Sequence, residues 1–355
     1  MKNAEQILTH AMKREDISRI LLIQTAYIGD VILMTPLVER LREIVPTAHI
    51  DVLINHSNAS VLAGHPHINE LLLWNKKKQK NRNLLRLLQK IRANKYDAVL
   101  NCHRYFSTRL LTVLSGANQK VGFYRRSLIP WYDIQVPHQL RGNQHEVDRN
   151  LALLKALLPT NDETQLKRCP RLYPSESDQE KILMYQVGKY LCIAPTSVWF
   201  TKQFPAEKWV KLINTLPFKG KIYLLGAPYD FEACENIRQQ SKRDSVENLA
   251  GKLSLLQSAI LMKGAVLNYV NDSAPLHLAS AMNAPVCAVF CSTIPEFGFT
   301  PLSDFSEIID VGTSLTCRPC GVHGHRACPE KHFRCAADID VGRLVKVFQK
   351  AQLPR

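Results

Sequence analysis

The sequence has no run of eighteen apolar residues, so it offers no helix long enough to span a bilayer. Its first eighteen residues, "MKNAEQILTHAMKREDIS", lack the apolar core of a secretory signal, and the cytoplasm is the expected compartment. There is no G-x-G-x-x-G and no G-x-x-x-x-G-K-[ST], which removes the dinucleotide fingerprint and the P-loop. Zinc-protease and nucleophile-elbow patterns are absent as well. No twenty-to-fifty-residue repeat appears. Acids are scarce: 31 Asp and Glu face 46 Lys and Arg, a net charge of +15, with a pI near 9.4.

What is present is ordinary for a globular chain: 355 residues, 46% hydrophobic and 22% charged, enough for two domains. The excess charge calls for a polyanionic partner: nucleic acid, an anionic membrane face or a phosphorylated substrate. Basic residues crowd "NKKKQKNRNLLRLLQKIRANK" (75–95) and "YRR" (124–126). Nucleic acid is the poorest of these fits, because no aromatic-basic module accompanies the charge. Six of the ten cysteines, Cys102, Cys169, Cys192, Cys234, Cys287 and Cys291, are scattered, several of them in apolar runs. They read as reduced, mostly core residues.

Strands and helices alternate along the chain. Strands are expected at Arg19–Gln24, His49–Ile54, Glu70–Trp74, Ala98–Asn101 and Lys120–Phe123, with helices at Val31–Val45, Asn83–Ala93, Thr108–Leu114 and His145–Leu158. A proline-bearing polar stretch follows, and the pattern restarts with strands at Tyr190–Pro195, Lys221–Gly226, Ala265–Asp272 and Pro285–Phe290. Two βαβ sets imply an α/β chain of two doubly wound parallel sheets. The expected division is 1–160, a linker at 161–180, a second domain at 181–335 and a C-terminal helix at 336–355. Ligands bind such sheets outside the carboxyl ends of the strands.

Four stretches lie at strand ends. "IQTAYIGDVILMTP" (23–36) resembles a phosphate turn, yet has one glycine and then Asp30, whose carboxylate would repel a phosphate; it suits an N-cap or a base. "APTSVWFTKQFP" (194–205) offers the hydroxyls of Thr196 and Ser197 and the ammonium of Lys202, a set suited to a diphosphate. "LLGAPYDFEACENI" (224–237) places Asp230 and Glu232 where a carboxylate holds a ribose diol or favours a helix N-terminus. "VNDSAPLHLASAMNAP" (270–285) puts Asp272 and Ser273 at a helix start, where they cap it or its N–H groups take an anion; His277 lies one turn inside. Near the end, "CRPCGVHGHRACPEKHFRC" (317–335) holds Cys317, Cys320, Cys328 and Cys335 among three histidines. That spacing admits a structural zinc site, packed reduced thiols or a redox pair.

In this order and spacing, "TAYIGDVILMTP", "PTSVWFTKQFPAEKW", "LLGAPYDFEA", "NLAGKLSLLQ" and "NDSAPLHLASAMNAPVCAVF" resemble glycosyltransferase family 9, the ADP-heptose:lipopolysaccharide heptosyltransferases. The resemblance runs from about Arg19 to Leu344, and the cysteine run looks like the branch that adds the second heptose. It implies a GT-B fold, with two Rossmann-like domains facing a central cleft, the acceptor on the first and the donor on the second. It implies Asp30 as catalytic base. The donor ADP-heptose would be held by Thr196, Ser197, Lys202, Asp230, Glu232, Leu253 at the adenine, Asp272, Ser273, the Ala274 N–H and His277. The family usually has glycine where this chain has Ala274. No cofactor is required. The acceptor would be an anionic lipid-linked saccharide, met by Lys76, Lys77, Lys78, Lys80, Arg104, Arg125 and Arg126 at the cytoplasmic face of the inner membrane. Two other readings stand beside this one: a transferase of another nucleotide sugar, and a nucleotide-sugar-binding or membrane-adaptor protein without turnover.

Overall fold

The computed structural model describes residues 12–76, 80–124, 131–140, 142–159, 168–312 and 314–353. The chain forms two compact units, one of residues 1–140 with 144–168, the other of 169–355 with 141–143.

The first unit is built on six parallel strands: β1 (Arg19–Gln24), β2 (His49–Asn55), β3 (Glu70–Trp74), β4 (Ala98–Asn101), β5 (Gln119–Phe123) and β6 (Ile134–Val136). Their order is β3-β2-β1-β4-β5-β6. In β1, "RILLIQ", the last five residues are buried, as a central parallel strand covered on both faces requires. Its helices are α1 (Ile28–Ile44), α2 (Lys80–Ala93), α3 (Phe106–Val113) and α4 (Glu146–Leu157). One core packs Leu21, Ile23, Leu53, Trp74, Ile91 and Val99.

Pro36 lies inside α1. It has no N–H for the carbonyl of Ile32, four residues back. The Thr35 hydroxyl donates to that carbonyl instead, at 2.8 Å. One residue on, the Leu33 carbonyl accepts from Asn150 Nδ2 of α4 at 3.3 Å. The helix therefore continues through the proline.

The second unit repeats the plan with β7 (Tyr190–Ala194), β8 (Lys221–Leu224), β9 (Val246–Asn248), β10 (Asn268–Asn271), β11 (Val286–Phe290) and β12 (Ser306–Asp310). The order β12-β11-β10-β7-β8-β9 is the same doubly wound arrangement. Its helices are α5 (Glu176–Ile182), α6 (Ala206–Thr215), α7 (Phe231–Gln240), α8 (Leu255–Gly264), α9 (Ala274–Ala281), α10 (Arg334–Ala337) and α11 (Val341–Ala351). Trp209, Phe204, Tyr269, Val289, Leu344 and Phe348 fill its core. The Tyr269 hydroxyl donates to the Leu344 carbonyl at 2.9 Å, so α11 is part of this unit's fabric.

The α/β class with two doubly wound parallel sheets is the one expected. Three strands, β6, β9 and β12, are additional to those read from the sequence. Residues 176–180 of the expected linker are helical, because Ser175 and Asp178 form a reciprocal capping box at the start of α5. Among the described residues no helix is long and apolar enough to cross a membrane.

Candidate active site

In each sheet the strand order reverses between two central strands, β1 and β4 in the first and β7 and β10 in the second. The polar stretches at strand ends fall at or beside these switch points.

In the first unit, β1 ends at Gln24 and α1 starts at Ile28. Asp30 occupies the third helical position, and its Oδ2 accepts the Tyr27 N–H at 3.2 Å. Thus the carboxylate does cap the turn, and it remains half-buried rather than enclosed. The turn is fastened from the side: Lys76 Nζ donates to the Thr25 carbonyl at 2.7 Å and to Thr25 Oγ1 at 3.0 Å. The same ammonium sits 4.9 Å from the Trp74 ring centroid. Lys76, expected on the acceptor, is therefore a tie that secures the Asp30 turn. Thr25 Oγ1 is also 2.9 Å from His103 Nδ1. Burial, then the charges of Lys76 and Arg104, push His103 down to about 3. The ring is therefore neutral at pH 7. Arg104 is exposed just beyond β4. Lys77, Lys78, Arg125 and Arg126 lie outside the described residues, and Lys80 begins α2.

In the second unit the loop after β7 is held by its backbone. Asn271, the buried last residue of β10, donates from Nδ2 to the Pro195 carbonyl at 2.8 Å and accepts the Phe204 N–H on Oδ1 at 2.9 Å. Gln203 Nε2 donates to the Ser197 carbonyl at 2.6 Å. Thr196 and Ser197 are half-buried at the loop's start. A short 3₁₀ turn, Phe200–Lys202, delivers the lysine. Lys202 Nζ lies 2.7 Å from Asp272 Oδ2, and the Thr293 hydroxyl donates to the same oxygen at 2.6 Å. Asp272 is thus the lysine's anchor rather than a helix cap. An ammonium has three donors, so the pairing leaves two N–H vectors for a diphosphate.

Ser273 is the N-cap of α9 without a side-chain cap bond, so the helix start keeps its backbone donors for an anion. Ala274 is the first residue of α9, and it is absent from the residues with positive φ. Alanine fits there because the backbone is helical. His277 is buried in α9 and meets Phe299, ring centroids 6.4 Å apart. Asp230 Oδ2 accepts the Ala227 N–H at 2.8 Å, the same back-bond that Asp30 makes to Tyr27. Gly251, at φ +76°, presses on this turn: a Cβ there would stand 2.8 Å from Pro228 Cα. Leu253 is half-buried just after it, and Glu232 is exposed on α7. The engaged acid of α7 is Glu235, which Arg238, with Asn248, holds down at about 2.

The cysteine run folds beside this loop. All ten cysteines are free thiols. Cys317 Sγ is 3.9 Å from His332 Nε2, Cys320 Sγ donates to the Cys317 carbonyl at 3.1 Å, and the Phe333 N–H donates to Cys328 Sγ at 3.4 Å. Burial and the neighbouring thiols raise Cys335 to about 11, keeping it protonated. Among the described residues no three His, Cys, Asp or Glu side chains stand as a metal-holding group.

Asn271, Thr293, Thr201 and Arg318 were not singled out from the sequence. The available signal was an asparagine ending an apolar strand, beside an acid.

The model of "Glycosyltransferase family 9 (heptosyltransferase)" matches residues 84–332. "Lipopolysaccharide heptosyltransferase 3" of Escherichia coli is 31% identical over 281 residues, 75% of this chain and 81% of that protein. Among solved structures, the glycosyl transferase family 9 protein from Veillonella parvula DSM 2008 superposes with a TM-score of 0.81 at 22% identity, covering 96% of this chain and 98% of that one. E. coli heptosyltransferase WaaC with ADP gives a TM-score of 0.71 at 20% identity, over 94% and 99%. A family match across most of the chain, on two doubly wound parallel sheets, makes this protein a member of glycosyltransferase family 9, and so a glycosyltransferase.

Proposed function

We propose that the protein is an inverting, metal-independent transferase that moves heptose from ADP-heptose to the inner core of lipopolysaccharide, on a lipid A-linked acceptor. The observation that carries the proposal is the Lys202 ammonium, anchored by Asp272 beside the uncapped start of α9. A cation and a helix N-terminus at one switch point stabilise the negative charge that grows on a departing diphosphate. No metal is needed for that task. Asp230 is suited to the ribose and Leu253 to the adenine. A carboxylate at the other unit's switch point, Asp30, suits removal of the acceptor proton. As Asp30 acts as a base and not a nucleophile, attack comes from the face opposite the diphosphate and inverts the anomeric centre.

The net charge of +15 supports an acceptor with sugar carboxylates and lipid phosphates, and a peripheral station on an anionic membrane face. Each basic residue near such a surface contributes about 1 kcal/mol, which salt screens. The cysteine run supports the branch adding the second heptose, whereas the 31% relative is named heptosyltransferase 3; the acceptor hydroxyl separates these.

A donor screen tests the reading. The enzyme is incubated with ADP-, UDP- and GDP-linked sugars and inner-core acceptors truncated at successive sugars, and product is followed by mass. Transfer from ADP-heptose to one truncation is expected. Transfer from a UDP- or GDP-sugar with none from ADP-heptose would refute the donor assignment.

A further inference from the structure

The cysteine-rich segment plays no part in the chemistry above, yet it makes close contacts with the lysine loop by two routes. The first is through Thr201, buried next to Lys202. The Thr201 N–H donates to the His325 carbonyl at 3.1 Å, and the His325 N–H donates back to Thr201 Oγ1 at 2.8 Å. Between them Gly324, at φ +78°, lies so close that a Cβ would be 2.8 Å from Thr201 Oγ1 and 3.3 Å from Lys202 Cγ. The second route is through Arg318. Its Nε and Nη2 donate to the Thr293 carbonyl at 3.2 and 2.9 Å, and its Nη1 to Asp310 Oδ2 at 2.8 Å. The Thr293 hydroxyl then shares Asp272 Oδ2 with the Lys202 ammonium. The Cys320 N–H, donating to the Ser292 carbonyl at 3.0 Å, fixes the segment between the two routes.

We propose that Arg318–His325 is a brace that positions Lys202 for the donor diphosphate, with Arg318 and Thr293 as positioning residues. The physical need is plain. Lysine is a point charge on a flexible four-carbon stem, and its freedom must be lost when it binds phosphate. A brace that fixes both the stem and the carboxylate anchor removes that cost in advance. The guanidinium fork is suited to holding one carbonyl and one carboxylate in a fixed plane. This inference rests on the proposed donor site, of which Lys202 is the centre.

The test is calorimetric titration of the full chain with ADP. Thr293→Val, nearly isosteric, and Arg318→Gln are each expected to weaken ADP binding about tenfold. Thr293→Ser, which keeps the hydroxyl, should bind as wild type. In a Lys202→Ala background neither Thr293→Val nor Arg318→Gln should weaken binding further, since the brace acts through the missing ammonium. Equal losses in both backgrounds would mean a general structural role and would overturn the brace. Wild-type affinity in both single variants would overturn it too, while leaving the donor site standing if Lys202→Ala binds weakly. If Lys202→Ala binds ADP as wild type, the donor assignment falls and the brace falls with it.

Discussion

The proposed mechanism gives Asp30 two tasks on one carboxylate, the helix cap and the base, and two substitutions separate them. Its Oδ2 accepts the Tyr27 N–H at 3.2 Å in the first turn of α1. Asp30→Asn keeps an oxygen for that N–H and loses only the charge near the helix N-terminus, about 0.5 kcal/mol. Asp30→Ala loses the cap as well, about 1–2 kcal/mol together. In a unit of this size 1 kcal/mol moves Tm by roughly 2–4 °C. Neither variant can take a proton from the acceptor, and a positioned base contributes about 10²–10⁴ in rate. Turnover at saturating donor should therefore fall by that factor in both variants alike. Scanning calorimetry should rank them, with alanine below asparagine by a few degrees. ADP affinity should stay near wild type in both, because the proposed donor groups all belong to the other unit. Asp30→Asn with more than about a tenth of wild-type turnover would refute the base. A loss of turnover that tracks Tm from asparagine to alanine would reduce Asp30 to its cap.

Three further outcomes are expected. Lys202→Met leaves the mostly buried Asp272 carboxylate with the Thr293 hydroxyl and no cation, costing about 3 kcal/mol; adding Asp272→Asn should restore stability in a melt without restoring ADP binding. Gly251→Ala forces alanine to φ +76° and its Cβ against Pro228 Cα at 2.8 Å; a loss of about 1–3 kcal/mol and weaker ADP binding through the displaced Asp230 turn should appear together. His103 is held at about 3 against 6.5 when unfolded, first by burial. The unfolded chain thus binds the extra proton between these values, so this contribution is complete above pH 6.5 and is lost as pH falls toward 3. Moving from pH 7 to 5 should cost about 2 kcal/mol, and the acid-induced drop in Tm should be smaller in His103→Gln than in wild type.

The central strands were legible because a strand buried on both faces is apolar where it is buried, as "ILLI" of β1 and "VCAVF" of β11 are. The three additional strands, "IQV", "VEN" and "SEIID", are sheet edges; they are short and carry polar residues, so no apolar run marks them. Lys202, Asp30 and Asp230 were picked out from the sequence because polar residues that follow a buried strand lie at the end of the sheet where ligands bind. Lys76 stood out only for its charge, because no local spacing shows that it reaches across 51 positions to Thr25. Thr293 and Arg318 were invisible for the same reason. Their partners are 21 and 25 residues away, a pairing that no local spacing encodes.

Pro36 has a bearing on how this chain can change over generations. Replacing Thr35 alone strips the Ile32 carbonyl of its donor, while replacing Pro36 alone supplies an N–H in the presence of the hydroxyl already bound there. Asn150, more than a hundred positions away, fastens the neighbouring Leu33 carbonyl, one turn from Asp30. Thr35 and Pro36 therefore form a ratchet: once the proline is in place, drift at Thr35 is penalised, while Asn150 ties the helix bearing Asp30 to α4.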